Sequence, residues 1–275
     1  MKVAWVQDIS RPHGGAENSN RTVVAVGEKM GHDIVGVTPE NFNPMVVSNA
    51  DVLVINNFWQ FPREMAAILH IAMWQKGTPY AVYSHDYRDL RNRKEMAKKM
   101  FGRSRLNVFI SPKHHDDYCS GLGCEGITLP LAIDVDLFRP VPGVPRDPEA
   151  VLVVGGWLRG GKFSKQLAEF SKGKKVLSVG IQFDGARVIP HRPLEKMPEV
   201  YSSVSALAHF PGIECAGERV VFEAALCGVQ TFHLGEMVGH ASWGFDLTDR
   251  DALARVLSFA PVQFWQEVER ASSRA

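Results

Sequence analysis

The chain lacks the features that would commit it to a membrane or a disulfide scaffold. Its longest apolar stretches are strand-length and interrupted, so nothing in it spans a bilayer. The four cysteines, Cys119, Cys124, Cys215 and Cys227, form no C-x-x-C pair and no regular spacing. They read as reduced thiols in a cytoplasm. The start, MKVAWVQD, enters a strand at once and has no signal-peptide shape, which again leads to the expectation of a cytoplasmic protein. A formal net charge of +1 does not by itself call for a nucleic-acid partner. The loop after the first strand, RPHGGAEN, is not a G-x-G-x-x-G, and there is no internal repeat, no low-complexity tract and no lysine context suggesting a pyridoxal site.

What is present is an alternation of short apolar runs with helical patterns. MKVAWV, HDIVGV, ADVLVI, PYAVYS and LNVFIS read as buried strands, and the segments near 16–30, 62–76 and 89–101 carry apolar residues at helical spacing. Repeated βα units predict an α/β fold with a doubly wound parallel sheet. The proline-rich run 141–150, VPGVPRDPEA, reads as a linker. The scheme then restarts with AVLVVGG, KKVLSVG, ARVIP, VSALAHF and VQTFHL. At 275 residues there is room for two domains. The expected division is 1–140, 141–260 and a terminal amphipathic helix over 261–275, with a cleft between the two Rossmann-like halves.

The most informative stretch is 211–228, PGIECAGERVVFEAALCG. It places Glu214 in a turn after a strand and Glu223 inside the following helix, and Gly228 ends that helix. Strand, acidic turn and helix make the layout of a ligand site at the carboxyl end of a parallel sheet, with backbone N–H groups available to a phosphate. A second glycine-bearing loop, RPHGGAEN, follows the first strand, and Gly14 and Gly15 there allow close backbone approach to an anion. His85 and Asp86 stand at the carboxyl end of PYAVYS, and His114 follows the next strand; each imidazole is readable as a site group or as hydrogen-bonded structure. Arg159 and Lys162, in the loop after AVLVVGG, are cations of the kind that stabilise a departing diphosphate.

These motifs resemble GT-B glycosyltransferases of the family 4 type, and the resemblance covers nearly the whole chain. P-x-x-E (Pro211 to Glu214) followed by E-A-x-x-x-G is similar to that family's P-x-x-x-E and E-A-x-x-x-G nucleotide-sugar site, and GITLPLAIDVDLFRP resembles its interdomain phrase. The resemblance implies two Rossmann-like domains and transfer of a sugar, with retention, from a nucleotide-diphosphate donor such as a UDP-sugar to an acceptor hydroxyl. It also implies that no metal or other cofactor is needed. Glu214 and His85 would then act on the sugar, Glu223 on the ribose, and Cys215, Ala216 and Gly217 would line the donor with Gly14 and Gly15. Arg159 and Lys162 would hold the diphosphate. The departures are one extra residue between the two glutamates, Gly156 where the family has an arginine, and Gln230 where it has a proline. They motivate an alternative: a GT-B-like protein that binds nucleotide sugar but has lost catalysis. A further alternative is a metal-dependent GT-A transferase using the D-x-D of Asp134 and Asp136.

Between Arg88 and Arg105 the chain is basic. On one continuous helix Arg91, Lys94, Lys98 and Arg105 would share a face, opposite Leu90, Ala97 and Phe101. Such a face suits an anionic membrane surface or a polyanionic acceptor, whether a glycan carrier, a lipid-linked acceptor or a hydroxylated nucleic-acid base. It also reads as an ordinary solvated face.

Overall fold

The computed structural model describes residues 1–8, 14–56, 61–155, 165–180, 185–190, 192–211, 214–235 and 239–273. The chain divides into two compact units, Met1–Ala132 with Phe259–Ala275, and Ile133–Ser258.

The first unit is built on a parallel sheet of β1 (Lys2–Val6), β2 (Asp33–Val37), β3 (Val52–Asn56), β4 (Tyr80–Ser84), β5 (Leu106–Phe109) and β6 (Ile127–Thr128), in the order β2-β1-β3-β4-β5-β6. β3 and β4 are buried along their whole length, as strands covered on both faces must be. Around the sheet run α1 (Gly15–Lys29), α2 (Pro44–Ser48), α3 (Arg63–His70, continued by a π-helical turn Ile71–Gln75), α4 (Arg88–Asn92), α5 (Lys94–Arg103) and α6 (Pro112–Leu122). The basic segment is therefore two helices rather than one. Arg93, at φ −141° and ψ 44°, breaks it, because burying Asp89 with one helix and Ala97, Met100 and Phe101 with the next requires a change of direction. Arg105 lies beyond both helices.

The second unit carries β7 (Asp147–Val154), β8 (Lys175–Val179), β9 (Ala186–Ile189), β10 (Val204–His209) and β11 (Thr231–Leu234), all parallel, in the order β11-β10-β7-β8-β9. Val151, Val153, Val176, Ala206 and Ala208 pack with Leu167 of α7 (Lys165–Ser171) in its core. Two shorter helices follow, α8 (Met197–Ser202) and α9 (Arg219–Leu226). β7 starts inside the segment that composition gives to a linker. Pro148 is tolerated there because the β7–β10 register shifts beside it, and the Asp147 N–H donates to the Ser203 carbonyl (2.9 Å).

The closing helix α10 spans Arg250–Ser272 and so begins eleven residues before the expected start at Pro261. Proline costs that helix one backbone hydrogen bond. The buried series Leu253, Leu257, Ala260, Phe264, Trp265 and Val268 holds it together through the interruption. In the first unit Trp265 donates Nε1–H to the Val23 carbonyl of α1 (2.8 Å) and packs with Trp5 and Phe264. A Cβ at Gly27 would lie 2.4 Å from the Trp265 ring, so only glycine admits this approach.

Each sheet has a topological switch point, between β1 and β3 in the first unit and between β7 and β10 in the second. Ligands of open α/β sheets bind beyond the strand carboxyl ends at such points.

Candidate functional site

In the second unit the Glu214 turn lies beyond the carboxyl end of β10, at the switch point. Glu214, Cys215 and Gly217 are half-buried and Ala216 is buried. The Cys215 carbonyl accepts from the Gly239 N–H (2.8 Å), which ties the turn to the segment after β11. α9 then runs inward, and Glu223 on it is 4 % exposed. Arg219, one helical turn earlier, donates Nε–H to Glu223 Oε1 (2.8 Å), and the Tyr201 hydroxyl from α8 donates to Oε2 (2.9 Å). Burial and the neighbouring carboxylate push the Tyr201 phenol well above its ordinary value, so it stays a donor. Two lone-pair positions of the carboxylate remain for other donors. Gly228 ends α9 at φ +86°, as expected of a helix terminator, and Arg146 closes the corner by donating to the carbonyls of Gly228, Cys227 and Ser202.

In the first unit Gly14 caps α1 and Gly15 opens it, beyond the carboxyl end of β1. His85 follows β4 and is 7 % exposed. Its orientation is over-determined. Trp5 Nε1 and Asn20 Nδ2 both donate to Gln7 Oε1 (3.2 and 3.1 Å), which turns Asn20 Oδ1 toward His85. His85 Nε2 therefore donates to Asn20 Oδ1 (3.0 Å) and carries the ring proton. His114 is part of the hydrogen-bonded interior. It is wholly buried on α6, accepts from the Ile110 N–H at Nδ1 (3.4 Å) and lies against the Asp86 carbonyl (3.3 Å). Burial holds it neutral, lowered to about 3.

Sequence reasoning missed the carboxyl cluster at this end of the sheet. Asp8 and Asp89 are 6 % and 4 % exposed. Burial raises Asp8 to about 7 against the lowering effect of Arg88, and raises Asp89 to about 8 with help from Asp86 and Asp8. Asp86 is raised too, chiefly by burial, while Arg88 holds both of its carboxylate oxygens through Nε–H (3.2 Å) and the backbone N–H (2.8 Å). The acidic residues were visible in the sequence; their depth was not.

Of the other expected site residues, Arg159 and Lys162, with Gly156, lie outside the described residues. Arg91, Lys94 and Lys98 are exposed, with Arg91 over the Tyr87 ring (5.2 Å). Asp134 is committed to a turn: its Oδ1 accepts the backbone N–H groups of Asp136 (3.1 Å) and Leu137 (3.0 Å). The two parallel sheets are not the fold that the alternative naming Asp134 and Asp136 expects. Among the described residues no helix is long and apolar enough to cross a membrane.

No family model matches the chain and no curated protein matches it. Solved structures do. Anabaena HepE in complex with UDP and glucose aligns over 100 % of this chain and 98 % of its own, with TM-score 0.63 and 13 % identity. Sucrose-phosphate synthase from Thermosynechococcus elongatus aligns over 99 % and 96 %, with TM-score 0.65 and 14 % identity. An alpha-glucosyltransferase in complex with UDP and a 13-mer DNA containing an HMU base aligns over 98 % and 94 %, with TM-score 0.62 and 12 % identity. At these identities the likeness speaks to fold, and the fold is the expected one: an α/β chain with two parallel sheets, of the GT-B glycosyltransferase type.

Proposed function

We propose that the chain is a glycosyltransferase of the family 4 type, moving a sugar with retention from a nucleotide-diphosphate donor to an acceptor hydroxyl without a catalytic metal. The observation that carries this reading is the pairing of a half-buried Glu214 turn with the buried Glu223 of α9 at the switch point of the second sheet. The solved structures of the same fold that hold UDP or UDP-glucose support it.

In this reading Glu214 accepts from the donor sugar hydroxyls. Glu223, preoriented by Arg219 and Tyr201, offers its remaining lone pairs to the ribose. Arg159 and Lys162 are assigned the diphosphate from sequence alone. His85, fixed as an Nε2–H tautomer, is assigned a hydrogen-bonding role toward substrate from the first unit. Rate enhancement then comes from positioning and from electrostatic stabilisation of the leaving diphosphate.

A thermal-shift screen against UDP, GDP, ADP and their sugars tests this directly. One nucleotide at a hundred times its Kd adds about 2.7 kcal/mol of stability. If none stabilises the chain, the reading fails. Binding without transfer or hydrolysis across an acceptor screen would leave only a nucleotide-sugar-binding protein.

A further inference from the structure

We infer that His209, Cys215 and Glu218 form a binding site for a thiophilic divalent cation of the Zn²⁺ class. Among the described residues, one ligand atom from each of the three lies within 4.8 Å of the other two. The three positions have distinct local causes. His209 is the last residue of β10, Cys215 lies in the turn tied down by the Gly239 N–H, and Glu218 is the N-cap residue of α9. Two of the three ligands are therefore held by ends of regular elements, which limits the ordering cost of binding.

One separation matches that of ligands around an ion, and all three lie within reach of it. Atoms bound to a tetrahedral Zn²⁺ lie about 3.3–3.7 Å apart, as follows from Zn–N and Zn–O near 2.0–2.1 Å and Zn–S near 2.3 Å. His209 Nε2 and Glu218 Oε2 are 3.4 Å apart. Nε2 is buried and, among the described residues, meets Glu218 only at this ion-pair distance, with no hydrogen-bond partner. A buried polar nitrogen left so is costly, and a coordinated cation supplies what it lacks. The mixed nitrogen, sulfur and oxygen set selects a borderline-soft ion over Mg²⁺ or Ca²⁺, which prefer oxygen alone. Three protein ligands leave a fourth position for water, and the half-buried class of all three residues leaves an entry path. On binding, the Cys215 S–H bond breaks, its proton goes to solvent, and the thiolate sulfur donates to the metal with no change of oxidation state. The site does not depend on sugar transfer, although a bound ion would pin the Glu214 turn to the end of β10.

Titration of the chelator-treated full chain with Co²⁺, followed by displacement with Zn²⁺, tests the assignment. A stoichiometric near-ultraviolet thiolate-to-cobalt band is expected, removed by Zn²⁺, with proton release measured as buffer-dependent binding heat. Cys215→Ser should abolish the band. His209→Gln, which keeps the thiol, should weaken Zn²⁺ by more than about tenfold. Cys119 and Cys124, whose sulfurs lie 3.9 Å apart, form the competing thiol pair, so Cys119→Ser/Cys124→Ser should leave the band intact. Unfolding curves identify any variant that has not folded, and His209→Gln decides the matter if Cys215→Ser is lost. A wild-type chain without stoichiometric Co²⁺, or a band that survives Cys215→Ser and disappears with the other pair, overturns the site. Nucleotide binding to the metal-free chain is scored separately and bears only on the transferase reading.

Discussion

Beyond β10 the Glu223 carboxylate lies between a guanidinium and a phenol, each donating to one oxygen. Beyond β1 and β4 the carboxyls of Asp8 and Asp89 are as deeply buried, but the positive charge of Arg88, joined by Arg93 at Asp89 and Arg91 at Asp86, does not offset the burial of the three acids. The same place in a parallel sheet thus yields two electrostatic solutions. Where donors match oxygens one for one, a carboxylate is held in a fixed orientation. Where burial outweighs the available positive charge, the proton stays on. The first arrangement suits binding hydroxyls. The second stores protons close to neutral pH.

The largest expected effect comes from unbalancing the matched pair. Arg219→Met leaves Glu223 buried without its counter-charge and should cost the second unit about 3–5 kcal/mol. Adding Glu223→Leu should restore most of that loss, because the uncompensated carboxylate is then gone. Urea unfolding of the single and double variants measures the coupling. Equal stability of Arg219→Met and wild type would show that the pair is not the organising feature described here.

The unmatched cluster should appear as a pH dependence. Asp8 and Asp89 rise from 3.8 to about 7 and about 8, so the folded chain keeps protons that the unfolded chain has released. Their stabilisation is complete below the unfolded value and is lost as pH rises through the folded values. Each contributes roughly 1.4 kcal/mol per pH unit within its window. His114 acts in the opposite sense. Lowered from 6.5 to about 3, it contributes stability above the unfolded value that is lost as pH falls through that interval. Denaturant midpoints from pH 5 to 8 should therefore fall, and Asp8→Asn or Asp89→Asn should flatten the slope. An unchanged slope in both variants would mean that these carboxyls are not protonated in the fold.

A smaller effect separates structure from ligand binding at Glu223. Glu223→Gln keeps the volume and one accepting oxygen, and should weaken nucleotide affinity by about 1–3 kcal/mol through loss of charge-assisted hydrogen bonds. Isothermal titration at fixed ionic strength reads this. If stability drops while affinity holds, Glu223 is structural and the ribose assignment moves elsewhere.

The contrast between the two ends also shows what the sequence carries. β3 and β4 were readable because strands buried on both faces are apolar runs, and Glu214 and Glu223 stood out as a strand–turn–helix pattern after β10. Arg219 was readable in principle from its helical spacing to Glu223. Tyr201 was not, since only the packing of α8 brings it there. The depth of Asp8 and Asp89 is likewise a tertiary property with no local signal. The break at Arg93 and the passage of α10 through Pro261 went unread because burial of neighbouring residues overrode the local preferences of those positions, and the start of β7 at Asp147 because it rests on pairing with a distant strand.

The smallest expected effect lies on the surface. Arg91 on α4 and Lys94 and Lys98 on α5 are exposed, and the break at Arg93 sets them on two short helices instead of one stripe. Their charges still lie close together in a chain whose net charge is only +1, so the local potential is positive where the average is not. Replacing all three with Gln should weaken binding to anionic vesicles by about 1 kcal/mol per residue at low salt. The difference should vanish as ionic strength rises and the Debye length shrinks below the contact spacing. Nucleotide affinity should not move, because none of the three belongs to the second unit. A duplex DNA titration run in parallel separates a membrane preference from a general attraction to polyanions. Wild-type chain that ignores both at low salt would reduce this surface to solvated charge and leave the acceptor to be sought elsewhere.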